Sequence, residues 1–351
     1  MSKQLHALVT GAGGFIGFHL TRALKAQGHW VRGVDVHPPA FAESPADEFQ
    51  IIDLRRWDRC LAAAEGVQHV YMLAADMGGM GFISAHHAAI LSNNGLIDFH
   101  TLEAARVQGA ERVFYASSAC VYPEFRQEQA DVTALKEEDA YPAQPQDAYG
   151  WEKLMTERLC RHYTEDYGLE TRVGRFHNIF GPYGTWQGGR EKAPAAICRK
   201  VALAKLTGDP TIEVWGDGEQ TRSFCFVDDC VEGVLRLMAS DCRDPLNLGQ
   251  DRLISVNALV DLVASVAGVP VVKEHVPGPQ GVRGRNSDNS RVREALGWSP
   301  HIPLEEGLRK TYLWIEDQVR KTLATARPAE ARSVAPMDIP VDALGSVSLP
   351  R

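Results

Sequence analysis

Tyr149 and Lys153 stand four residues apart in Asp147-Ala148-Tyr149-Gly150-Trp151-Glu152-Lys153, a spacing that places them on one helix face, one turn from each other. An ammonium in that position stabilises a phenolate. It draws the tyrosine down from its ordinary pKa of about 10, so that the phenol can take a proton from a substrate hydroxyl. The pair alone is a weak signal, because chance copies are common in helices. It gains meaning if three other stretches converge on it: a glycine turn near the N-terminus, Ser117-Ser118-Ala119-Cys120, and Gly188-Gly189-Arg190-Glu191-Lys192.

The elements that would position these residues follow in order. Leu5 to Thr10 reads as a buried strand, followed by Gly11-Ala12-Gly13-Gly14-Phe15-Ile16-Gly17 and a helical pattern through Ala26. Glycines 11, 14 and 17 between a strand and a helix are what a dinucleotide pyrophosphate requires: a tight turn, a close backbone approach and a helix N-terminus facing the phosphates. Gly11, Gly14, Phe15, Ile16 and Gly17 are therefore predicted cofactor contacts. Asp35 ends a second strand (30–35), where a carboxylate accepts hydrogen bonds from ribose hydroxyls and repels a 2′-phosphate, favouring NAD over NADP. Asp53 follows a third short strand and serves either the adenine or the start of the helix from Trp57 to Ala64. His69 to Ala75 is a fourth strand whose small end, Ala74 included, lets a cofactor pass. The glycine-rich loop Asp76 to Gly81 then lies where open α/β sheets bind ligands. A helix from His87 to Gln108 carries Asn93 and Asn94, facing either the cleft or solvent. The fifth strand ends at Ser117-Ser118; a hydroxyl beside Tyr149 would hydrogen-bond the reacting oxygen, and Ser118 is the choice. Cys120 is open, on its residue type, between inert packing and chemistry.

Strand candidates alternating with helical patterns through Phe176 predict a doubly wound parallel Rossmann sheet, with a smaller α/β substrate-binding domain after it. The expected boundaries are 1–178 for the first domain, 212–242 partly returning to it, 179–211 and 243–323 for the second, and a mostly mobile tail over 324–351. Arg222, Arg283 and Arg285 form a natural diphosphate clamp, unless they are solvated surface side chains.

Bulk properties exclude several classes. With 351 residues, 44% hydrophobic and 23% charged, the chain builds a large core. A formal charge of −8 argues against a nucleic-acid surface, though not against a phosphate-bearing small ligand. Seven cysteines without a C-x-x-C pair suit reduced thiols in the cytoplasm. No signal-peptide architecture or membrane-spanning run is seen, and no metal is expected.

The glycine turn, the Ser117-Ser118-Ala119 element and the Tyr149/Lys153 pair resemble the extended short-chain dehydrogenase/reductase family, in its NAD-dependent epimerase/dehydratase group. The blocks Leu73 to Gly81, Ser117 to Phe125, Gly188 to Pro194 and Gly281 to Asp288 are similar, more specifically, to the GDP-mannose 3,5-epimerase family, over about residues 5 to 320. The resemblance implies NAD, a GDP-sugar substrate and a homodimer through the His87 and Tyr149 helices. It implies Tyr149, Lys153, Cys120, Lys192 and Ser118 as catalytic, with Cys120 and Lys192 as the two proton-transfer groups. It implies Gly78, Ser118, Cys120, Tyr149, His177, Asn178, Glu191, Lys192, Lys200, Gln220, Thr221, Arg222 and Arg285 around the substrate, with Ser346 as a tail contact. A sugar 4,6-dehydratase needs carboxyl groups where Ala119 and Cys120 stand. A plain 4-epimerase needs neither Cys120 nor Lys192. An NAD-sensing regulatory module has no use for an intact Ser118, Tyr149 and Lys153.

Overall fold

The computed structural model describes residues 4–279 and 281–325, and of Met80 only the backbone. Seven parallel strands form the central sheet, in the order Leu246–Leu248, Glu170–Phe176, Arg112–Ser118, His69–Met72, His6–Thr10, Trp30–Asp35 and Glu48–Ile51. Helices cover both faces, so the strands read as near-continuous apolar runs. Alternate side chains of the first strand serve different cores. Ala7 and Val9 join the face under helices Phe15–Ala26 and Val227–Ala239; Leu8 joins the face under Trp57–Ala63, His87–Val107 and Ala148–Tyr167. The strand order reverses between His6–Thr10 and His69–Met72, and the carboxyl ends of these two strands open the crevice where such sheets bind ligands.

The smaller region packs helices Ala193–Thr207, Val256–Ala267 and Leu304–Thr325 against one another. Beside them lie a parallel pair, Thr211–Trp215 with Val272–Val276, and a three-stranded sheet, Leu253–Ser255, Thr221–Ser223 and Gly284–Arg285. One apolar cluster runs from Ala7 and Val9 through Phe180, Phe226 and Val227 to Val201, Leu259 and Ile315, so the two regions share a core.

Two expected boundaries shift. The seventh strand of the sheet comes from Leu246–Leu248, assigned by sequence to the substrate domain; three residues are too short to show a strand period. The strand Thr211–Trp215, whose residues 212–215 were placed in the returning segment, pairs with Val272–Val276 instead. The segment that returns to the sheet is thus the Val227–Ala239 helix followed by Leu246–Leu248. Of the tail, 324–325 close the last helix; Ser346 and the rest lie outside the described residues.

Candidate active site

The turn after the first strand is shaped by what glycine leaves out. Gly11 has φ 71°, and a Cβ there would press on the backbone of Leu73 and Ala74 at about the contact limit, with Ala74 N 2.9 Å away. A Cβ on Gly13 would collide with the His37 carbonyl, and one on Gly17 with the Gly11 carbonyl. Gly14 starts the Phe15–Ala26 helix with no side-chain cap, so its first N–H groups face outward. Asp35 closes the turn from the second strand, accepting from Gly13 N at 3.0 Å and from His37 N at 3.2 Å. Gly13, which the spacing of Gly11, Gly14 and Gly17 does not single out, has no more room for a Cβ than they have. Phe15 and Ile16 pack against the shared core, the Phe15 ring lying under Gly181 and Gly184.

Tyr149 lies in the first turn of the Ala148–Tyr167 helix, whose start Asp147 caps by accepting from Gly150 N at 2.8 Å. Ser118 lies close enough to the Tyr149 hydroxyl to draw its pKa down, against the larger effect of burial. Lys153 Nζ sits 5.6 Å from the Tyr149 ring centroid and 4.7 Å from that of Tyr115. It lies 3.6 Å from Asp98 and 3.7 Å from Glu152, both fully buried. Tyr115 donates to both carboxylates, at 2.9 and 3.1 Å. Burial tends to lower the lysine, but Asp98 and Glu152 outweigh it and raise Lys153 above its ordinary value. Asp98 is raised well above the carboxylate range, first by burial and then by Glu152, with Lys153 opposing. The sequence predicted a phenol lowered by Lys153. In the structure burial is the larger effect and holds Tyr149 above its ordinary value, with Lys153 pulling it down.

Cys120 sits in the single turn Ala119–Val121 that follows the strand, its N–H donating to Ser118 Oγ at 3.2 Å. It packs with Met77, Ile83, Ile90 and Tyr149, which brings the glycine-rich loop to the tyrosine. The second loop arrives from the other side: Gly79 approaches the Glu191 carbonyl, Arg190 pairs with Asp76 at 3.6 Å, and its guanidinium lies 3.9 Å over the Phe82 ring. Lys192 is exposed to solvent, with its ammonium near enough to Cys120, Cys230 and Arg285 to be influenced by each. Desolvation lowers its pKa, Cys120 and Cys230 raise it, and Arg285 lowers it again. Arg285 is buried, and its Nη1 donates to Cys120 Sγ at 3.3 Å. Arg222 is held by the carbonyls of Thr221 and Val282, each at 2.7 Å, and is lowered by burial and by Arg285. Three cations thus surround one thiol. The third arginine of the expected clamp, Arg283, is turned away, in an exposed bidentate pair with Asp217 at 2.8 and 2.9 Å.

The remaining candidates divide. Gly78 is buried against Phe82, beside the two loops. Asn178, at φ 46°, donates to Ser223 O at 2.9 Å, and Thr221 Oγ1 donates to Ala130 O. Gln220 donates to Trp215 O at 3.1 Å, while its buried Oε1 finds no hydrogen-bond partner among the described residues. Glu191 braces its own loop, accepting from Gly189 N at 2.7 Å and Arg199 at 3.1 Å. Lys200 is bound to Glu213 O at 2.7 Å. His177 is not brought to the cleft: it is 0% exposed, its ring lies 2.9 Å from Asn247 Oδ1, and burial lowers its pKa to about 3. Asp53 is engaged by Arg55 at 2.7 Å and accepts from Arg55 N in a turn just before the Trp57 helix, whose N-cap is Arg56. Neither asparagine faces open solvent: Asn94 Oδ1 accepts from Asp76 N at 2.6 Å, and Asn93 reaches the Asp76 carboxylate at 3.2 Å, so both clamp the glycine-rich loop.

Sequence reasoning missed the buried polar frame. Asp98 and Glu152 carried a signal, one as an acid on the inner face of a long helix, the other inside the Tyr149/Lys153 motif. Below the Ser117-Ser118 strand end, Glu157 accepts from Ser117 at 2.5 Å and pairs with Arg175 at 2.7 Å, and Arg175 also donates to Tyr122 and Glu137 O. Gln127 lay in a stretch that reads as a polar excursion.

A doubly wound sheet, an uncapped glycine turn beside Asp35, and a Ser118–Tyr149–Lys153 set at the same crevice together define a nucleotide-cofactor enzyme. The chain belongs to the NAD dependent epimerase/dehydratase family, whose model matches residues 7–249. It is 55% identical over 322 residues to GDP-mannose 3,5-epimerase 1 of Oryza sativa subsp. japonica, covering 91% of this chain and 84% of that protein. It is 54% identical to the GDP-mannose 3,5-epimerase of Arabidopsis thaliana, covering 92% and 85%. Among solved structures it resembles the UDP-glucose 4-epimerase of Thermotoga maritima with UDP-glucose, at a TM-score of 0.80 and 26% identity over 91% of this chain and 100% of that one.

Proposed function

We propose that this chain converts GDP-mannose to GDP-L-galactose, with GDP-L-gulose formed where only carbon 5 inverts. The observation that carries the proposal is the place of Cys120: a thiol among Lys192, Arg222 and Arg285, packed against Tyr149. A 4-epimerase has no need of such a group, and a 4,6-dehydratase needs carboxyls there. The relatives above half identity carry the matching name.

The residues present fit NAD. The turn at Gly11, Gly13, Gly14 and Gly17 would hold the pyrophosphate at an uncapped helix start, Asp35 the adenosine ribose, and Ala74, Tyr149 and Lys153 the remainder. When bound, NAD supplies the oxidation at carbon 4, and the later reduction, that make the neighbouring C–H bonds acidic for the time between. Tyr149 takes the carbon-4 hydroxyl proton and gives it back, with Ser118 hydrogen-bonded to the same oxygens and Lys153 stabilising the phenolate. Cys120 as thiolate removes the proton from carbon 5 or 3, and Lys192 delivers one from the opposite ring face. A lysine lowered by burial suits that exchange. Once Cys120 has lost its proton to solvent and Lys192 has taken one up, the same exchange at the second carbon inverts both centres. Arg222 and Arg285, with Lys200, bring positive charge to the diphosphate side.

The apolar side chains exposed on the two adjacent helices, Leu91, Leu96 and Phe99 on one, Trp151 and Met155 on the other, favour a homodimer through that face. Seven unpaired cysteines agree with the reducing cytoplasm. The test is turnover of GDP-mannose in D2O with the deuterium located by NMR. Deuterium at carbons 3 and 5 of a GDP-L-galactose product is expected. Inversion at carbon 4 without solvent deuterium, or no turnover, overturns the proposal.

A further inference from the structure

Gln127 takes part in no motif, yet it is 1% exposed and joins three parts of the site. Its Nε2 donates to the carbonyls of Tyr122 and Pro123, both at 3.1 Å, which closes the turn that leads out of the Cys120 segment. Its own carbonyl accepts from Arg283 N at 2.9 Å and Gly284 N at 3.1 Å, which ties that turn to the strand carrying Arg285. Its Oε1 accepts from Arg285 Nε at 2.5 Å, and the same guanidinium donates through Nη1 to Cys120 Sγ at 3.3 Å. Gly284 permits the approach, since a Cβ there would collide with the Gln129 carbonyl.

We infer that Gln127 is a positioning residue for the thiol: it fixes the Arg285 guanidinium on Cys120, so that Arg285 serves the proton-transfer sulfur rather than acting only as a phosphate clamp. The inference deepens the reading of Cys120 given above. The physical reason is the flexibility of arginine. Its long side chain has many rotamers, and an amide acceptor on Nε leaves the Nη1 edge aimed at one place. A guanidinium held at hydrogen-bond distance favours a thiolate over a thiol. The charged or titratable groups that face Cys120 are Tyr149 from the helix, Lys192 from the loop, and Arg222 and Arg285 from the small sheet. Among the described residues no carboxylate stands with them, and Arg285 is the cation whose hydrogen bond to the sulfur is seen.

Iodoacetamide alkylation of Cys120, followed by mass spectrometry on the full chain without substrate, tests this independently of turnover. Gln127→Met keeps the volume and removes the acceptor. Its expected effect is a loss of about tenfold in Cys120 alkylation rate at neutral pH, the size of one charge-assisted hydrogen bond. If Gln127 acts through Arg285, the substitution adds nothing in an Arg285→Met background, because the two then remove one and the same interaction. A purely structural role predicts a lower melting temperature with an unchanged alkylation profile, or effects that add in the double variant; either result overturns the inference. Should Gln127→Met fold too poorly to assay, Arg285→Met alone decides: Cys120 alkylation at the wild-type rate overturns it. A chain with the expected alkylation results but no epimerase turnover would leave the Gln127 assignment standing and remove the proposed function.

Discussion

The two halves of the site are built in opposite ways. Tyr149 and Lys153 come from one helix turn, and the protein invests buried charge in holding them: Lys153 lies between Asp98 and Glu152, beneath Tyr115, where almost no water reaches. Cys120, Lys192, Arg222 and Arg285 come from four separate segments that meet only because the small sheet and two loops close over the large one. The first half is rigid and over-determined, with two carboxylates for one ammonium. The second gathers three cations, Lys192, Arg222 and Arg285, about the Cys120 thiol, with no carboxylate holding them there among the described residues. In the proposed reaction, redox positioning at carbon 4 calls for a fixed phenol. The proton exchange proposed for both ring faces calls for groups on both sides of the substrate, which one helix cannot provide.

Breaking either half should have its largest effect on turnover. Tyr149→Phe and Cys120→Ala are each expected to lower kcat for GDP-mannose by roughly 10²- to 10⁴-fold, the usual range for a lost general acid or base. They should differ in isotope pattern: single-turnover NMR in D2O should show no deuterium at carbon 5 for Cys120→Ala, even at long incubation.

The next effect is on stability and separates the halves. Lys153→Met leaves two buried carboxylates facing each other and should cost about 3–5 kcal/mol. Asp98→Asn keeps the shape and the contact with Tyr115 and leaves Glu152 facing the ammonium, so it should cost less than Lys153→Met. Denaturant midpoints measure both; equal losses would mean that Glu152 alone does not hold the Lys153 ammonium.

A smaller effect concerns the frame between the halves. His177 is buried and held neutral, its pKa lowered to about 3, whereas the unfolded chain takes up that proton near 6.5. Between these values the unfolded state binds more protons. The stabilising contribution is therefore complete above pH 6.5 and falls as pH drops towards 3, by about 2 kcal/mol at pH 5. His177→Gln should flatten that part of the stability curve, as read from thermal unfolding across pH. Smallest of all, Arg283→Ala should leave KM for GDP-mannose within about twofold, because its guanidinium is spent on Asp217 at the surface, in contrast to Arg222 or Arg285.

What could be read without coordinates was whatever repeats with a local period or occupies a fixed spacing. The strand-turn-helix with its glycines, Asp35 about 20 residues on, the strand ending at Ser118 and the Tyr149 helix were legible, because each is set by neighbours within a few residues. The Leu246–Leu248 strand was not, being three residues long and defined by its partner. Residue types also misled where contacts decide: His177 and Arg283 have side chains fit for a substrate, but one is sealed behind Asn247 and the other is paired with Asp217. Asp98 and Glu152 were visible as acids, but nothing in the chain order says that both face Lys153.

By itself the sequence determined the doubly wound sheet, the cofactor turn and the tyrosine-lysine pair, since hydrophobic period, glycine geometry and helix spacing act over short range. Tertiary structure alone decided which cations reach Cys120, which carboxylates reach Lys153, and that Gln127 joins Tyr122, Arg283 and Arg285. These contacts bridge residues up to 165 positions apart, and side-chain hydrogen bonds and charge interactions depend on distance in space, which chain spacing does not encode.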